Sequence, residues 1–180
     1  MDGFCHVEEK VNPRRIPLAR KYVDKDAILE EAVKGKVADA WVLVANALYE
    51  EGYTDIDEID QEVSHYLDSD AYVKADREEI RRAGALMSTQ PSASHMKVEN
   101  IRSAVELEAY KKKTQSVALY TALNSICLGL MQTGKFSEEE LRRVFFNVDL
   151  SLAEIESGRS TLKKIEKELA GRMVKDKMAR

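Results

Sequence analysis

The sequence predicts an all-α fold, and three observations carry that expectation. Apolar residues recur at three- and four-residue spacing through every long patterned stretch, the mark of a helix with one buried face. The only 3 prolines stand at positions 13, 17 and 91, outside those stretches, so nothing removes a main-chain donor inside them. Glycine, the other residue that weakens helices, is scarce, at 8 in 180 residues. With 44% hydrophobic and 33% charged residues, the chain has the material for a core and a well-charged surface.

About six helices are expected. Residues 1–23 read as a basic arm, with Pro13, Pro17, Arg14, Arg15, Arg20 and Lys21 and no helical stripe. A first helix is predicted over 26–51, on Leu29, Val33, Val37, Trp41, Val44 and Leu48, with Gly35 as a weak spot inside it and Gly52 in the left-handed position after its end. The segment WVLVANALY has the composition of a strand, but its flanks continue the helical period. Thr54 with Asp57 predicts the start of a second helix carrying Ile56, Ile59, Val63 and Tyr66–Leu67. Asp68-Ser69-Asp70 ends it and caps a third, over 71–87, with Val73, Ile80, Ala83 and Met87 on one face.

Residues 89–97 lie in a Ser- and Pro-bearing stretch that reads as a linker. It divides the helices into an acidic lobe, 24–88, and a C-terminal lobe, 98–180. The second lobe opens with a long helix over 98–132, interrupted by Lys111, Lys112 and Lys113 and stopped by Gly134. Ser137 and Glu140 form a capping box for the next helix, which carries Leu141, Val144, Phe145, Val148 and Leu152. Gly158 breaks that run. A last helix follows on Leu162, Ile165, Leu169 and Met173, with the end fraying.

Charge divides unevenly. Residues 24–90 carry 7 basic and 17 acidic side chains, net −10, within a chain of net −4. The densest stretch is 50–70, with nine carboxylates (Glu50, Glu51, Asp55, Asp57, Glu58, Asp60, Glu62, Asp68 and Asp70) and no lysine or arginine. A calcium loop is excluded because its glycine is missing and the apolar spacing is helical. The stretch therefore reads as an acidic helix face formed by Asp55, Asp57, Glu58, Asp60 and Glu62. It is either a solvated surface or a partner-binding one, because a row of carboxylates resembles a phosphate backbone and suits a basic groove. The arm has the opposite sign, and Arg14, Arg15, Arg20 and Lys21 suit phosphate or partner contact.

No phosphate loop, dinucleotide fingerprint, metalloprotease motif or nucleophile elbow is present. The histidines, His6, His65 and His95, stand apart with no ligand spacing, and Cys5 and Cys127 match no metal pattern. His65 reads as a surface histidine and Cys127 as a buried small hydrophobe. The expectation is a non-enzymatic binding protein with no cofactor, no metal, no membrane span and a cytoplasmic location. A homodimer through the amphipathic last helix is compatible with the pattern.

Residues 118–158, ALYTALNSICLGLMQTGKFSEEELRRVFFNVDLSLAEIESG, resemble in layout small helical proteins of phages and mobile elements of Firmicutes. In these an apolar helix, a glycine turn and an amphipathic helix follow one another. Some such proteins are type II-A anti-CRISPR proteins. The resemblance implies an inhibitor that blocks a nucleic-acid-handling host complex, most specifically a type II CRISPR effector nuclease, by steric and electrostatic means. The alternative is a dimeric DNA-binding regulator using the arm.

Overall fold

The structure is a computed structural model and describes residues 27, 30, 31, 34–87 and 103–179. The arm at 1–23, with Arg14, Arg15, Arg20 and Lys21, and the linker at 89–97 lie outside the described residues. Among those described, seven helices and no strand occur: α1 Lys36–Glu50, α2 Ile56–Leu67, α3 Asp70–Val73, α4 Arg77–Ala85, α5 Ala104–Thr133, α6 Glu138–Glu156 and α7 Leu162–Ala179.

Local chemistry sets most boundaries. The capping boxes Ser103–Glu106 and Ser137–Glu140 start α5 and α6, and Asp76–Glu79 starts α4. In each, the cap side chain accepts from a first-turn amide while the glutamate accepts the cap's own N–H. Gly134 closes α5 at φ 68°, a left-handed conformation that costs other residues steric strain.

Three boundaries differ from the sequence expectation. Gly35 stands at the N-cap of α1 with φ 78°, so the helical pattern over 26–51 is broken there rather than merely weakened. The N-cap of α2 is Asp55, one residue after Thr54, and its side chain makes no cap hydrogen bond. The helix predicted over 71–87 is two pieces, since Asp76 caps a new start at α4. That break swings Val73 off the core face to 81% exposure, and Ile80 is exposed as well.

The helices on both sides of 88–102 share one core. α5 packs against α1, α2 and α4, and α1 in turn packs against α6 and α7. Leu43, Val44 and Leu48 of α1, Leu123, Ile126 and Leu130 of α5, and Leu141, Val144 and Phe145 of α6 are buried in a single cluster. Residues from both stretches therefore contribute to the same apolar cluster. At the α2–α5 crossing a Cβ on Gly129 would lie 2.9 Å from Val63 Cγ1. A hydrogen in that place lets the acidic helix lie close against α5.

Candidate functional site

The acidic face predicted for residues 55–62 lies on α2. Ile56, Ile59 and Val63 are buried, which fixes the helix's rotation. Successive residues turn about 100° around the axis, so Glu58 and Glu62 fall along one edge of the outward surface and Asp57 and Asp60 along the other. Asp55 precedes both at the N-cap. The structure thus brings all five residues onto one helix, as two rows rather than one.

Each row meets a lysine from a distant part of the chain. Lys135, in the turn between α5 and α6, has its Nζ 2.8 Å from both Glu58 Oε1 and Glu62 Oε1. Lys177, near the end of α7, lies 2.7 Å from Asp57 Oδ2. The two hydrogen-bonded glutamates hold the Lys135 ammonium above its ordinary pKa. On the other row, burial raises the Asp60 carboxyl pKa and Asp57 adds to the rise, while a hydrogen bond from Ser64 opposes it. Among the described residues, the four carboxylates of the two rows, Asp57, Glu58, Asp60 and Glu62, stand against these two ammonium groups, a surplus of two negative charges. All three ion pairs are solvent-facing, so screening by water keeps their contribution to stability modest.

The neighbouring acids are also engaged. Glu51 accepts from Arg143 Nε at 2.9 Å and from Asn147 Nδ2 at 3.0 Å, and Glu50 accepts from Asn46 Nδ2 at 3.0 Å. Tyr49 donates to Asp176 of α7. This contact ties the end of α7 to the end of α1, and Lys177 ties it to the start of α2; the last helix continues to Ala179 where fraying was expected. Sequence reasoning missed Lys135 and Lys177. For Lys177 a signal existed: the α7 row Ile165, Leu169, Met173 extended by four residues lands on it. For Lys135 the signal was weaker, a cation directly after a helix-stopping glycine.

Other candidate groups take their places outside this face. His65 is on α2 and exposed. Cys127 is buried with its thiol pushed up to about 12 by desolvation, and it donates to Ala83 O at 3.7 Å. A thiol so protonated is inert, since the thiolate is the nucleophile. Among the described residues no group of three or more His, Cys, Asp or Glu is arranged to hold a metal ion, and no helix is long and apolar enough to cross a membrane. Comparison with protein families, curated proteins and solved structures finds no match to this chain.

Proposed function

We propose that this chain is a non-enzymatic binding protein whose α2 surface occupies a basic groove on a nucleic-acid-handling complex, in the manner of an anti-CRISPR inhibitor of a type II effector nuclease. One observation carries the reading. α2 is seated on α5 through Val63 and Gly129, so its outward rows, Asp57 with Asp60 and Glu58 with Glu62, are held on a rigid element with an excess of negative charge. A pre-ordered row of carboxylates loses little freedom on binding and meets lysines and arginines as a phosphate backbone does. Lys135 and Lys177 are the cations that a partner's groove would replace at this surface. Because both pairs are exposed, exchanging one set of ammonium groups for another costs little.

The test is to reverse Asp57, Glu58 and Asp60 to lysine and measure binding to, and cleavage by, a guide-loaded type II effector complex. The proposal expects a loss of affinity of about a hundredfold or more, from several charge pairs lost at once. The wild-type interaction should also weaken as salt rises. Unchanged inhibition by the triple variant sinks the reading. Tight, salt-sensitive binding of duplex DNA that survives the reversal and vanishes when Arg14, Arg15, Arg20 and Lys21 are neutralised would instead establish the DNA-binding alternative.

A further inference from the structure

Away from the α2 surface, a cleft of about 510 Å³ opens between α1, α6 and α7. Its deepest cation is Arg172. The guanidinium carbon lies 5.1 Å from the centroid of the Tyr49 ring, and Nη2 donates to Asn46 Oδ1. Asn46 is itself only 5% exposed and fixed to Glu50. An aromatic face and an amide therefore hold the guanidinium in place, and neither neutralises it. Among the described residues no carboxylate pairs with Arg172, and its Nε–H is buried with no acceptor. Buried donors are almost always partnered, and an unpartnered one calls for an explanation.

A second observation is independent of the first. Gly171 is the residue before Arg172, inside α7, where glycine is disfavoured. Its φ is not positive, and a Cβ placed there would meet nothing within 4 Å. Among the described residues, neither backbone conformation nor packing accounts for a glycine here. What it does provide is bare helix backbone at the wall of the cleft, beside an arginine whose Nε–H has no acceptor.

We propose that this cleft binds a carboxylate carried on a peptide, with Arg172 as its anchor and Lys175, one turn along α7, as its second cation. The guanidinium fork suits a carboxylate. The other walls select among anions. Glu50, Glu154 and Glu168 line the same cleft, so a phosphate dianion is repelled more strongly than a singly charged carboxylate, whose flanking amide N–H groups give those glutamates donors to accept from. The site lies outside the α2 rows and stands whether or not the α2 proposal holds.

The experiment uses the full chain, isotopically labelled, with magnetic-resonance detection of the Gly171 amide and the Arg172 Nε–H. The probes are a short peptide with a free C-terminal carboxylate, the same peptide amidated, and inorganic phosphate. The free-acid peptide should give saturable shifts at both positions in the millimolar range. Amidation should weaken it about tenfold or more, the loss of one charge-assisted contact. Gly171→Leu should abolish the shifts at Arg172 while leaving the thermal midpoint at or above that of the wild type, since the side chain enters open space on a helix. Absence of saturable shifts, equal binding of the amidated peptide, tighter binding of phosphate, or full binding by a folded Gly171→Leu protein would each overturn the proposal.

Discussion

α5 and α7 are both long helices that pack against α1, yet they are held in different ways. α5 buries Leu123, Ile126, Cys127, Leu128 and Leu130 in succession and touches helices on several sides. α7 buries Ile165 and Leu169 and packs Leu162 and Met173 partly against the same core, and it adds polar attachments: Arg172 to Asn46, Asp176 to Tyr49 and Lys177 to Asp57. Apolar contact is non-directional and excludes water, so α5 is fixed by the whole core. α7 is fixed by fewer buried side chains and by polar contacts at discrete points, beside an open cleft. The same protein thus has an inner pairing that sets its shape and an outer one that leaves room for a ligand.

The strongest challenge to this contrast is one chemical change made in both places. Leu123 is 0% exposed and Leu169 is 7%. Leu123→Ala should cost about 4–5 kcal/mol and Leu169→Ala about 2–3 kcal/mol, the two ends of the usual range for emptying a leucine site. Urea melts measure both, and equal losses would mean that α7 is as deeply built in as α5. A smaller effect is expected at the α2–α5 crossing. Gly129→Ala pushes a methyl against the stiff, β-branched Val63 and should cost about 1–3 kcal/mol. Pairing it with Val63→Ala should recover part of that loss, and a strictly additive double variant would show that the two residues do not compete for space.

The smallest effect concerns the seam between the regions, and it depends on pH. Glu140 accepts from the Ser137 hydroxyl, the Ser137 N–H and the Tyr53 hydroxyl, which together bring its carboxyl from an ordinary 4.5 down to about 2. A carboxyl depressed in the folded state adds stability above its unfolded pKa and loses it as pH falls through the folded one. Its contribution is therefore complete above about pH 4.5 and gone near pH 2. Glu140→Gln should flatten the acid limb of the stability curve over that window, lowering stability at neutral pH and leaving it little changed near pH 2. Parallel curves for the two proteins would show that the cap carries no charge-dependent stabilisation.

Much of the inner pairing was legible in the sequence because it is written in periodicity. Leu141, Val144, Phe145 and Val148 repeat at helical spacing, and Ser137 with Glu140 marks where that helix starts. Breaks governed by short-range backbone chemistry were harder to read. Gly35 lies within a stripe that continues on both sides, so periodicity alone runs through it, and Asp76 was hidden by an apolar face that seemed to bridge it. The acidic residues of α2 were plain from composition, but their lysine partners were not. Those pairings join residues 77 and 120 positions apart, and a local pattern holds no record of them. The cleft beside Gly171 was equally hidden, because an absent side chain matters only once its surroundings are known.

The position of α1 has a consequence for synthesis. Its buried face is completed by α5, α6 and α7, all encoded after residue 103. A ribosome adds about 5–20 residues each second, so α1 waits on the order of ten seconds between its own emergence and that of α7. During that interval Leu43, Val44 and Leu48 have no final covering. The nascent chain is then a substrate for any chaperone that recognises apolar helices, and it is the acidic stretch just downstream, 50–70, that would keep such chains apart on a crowded polysome.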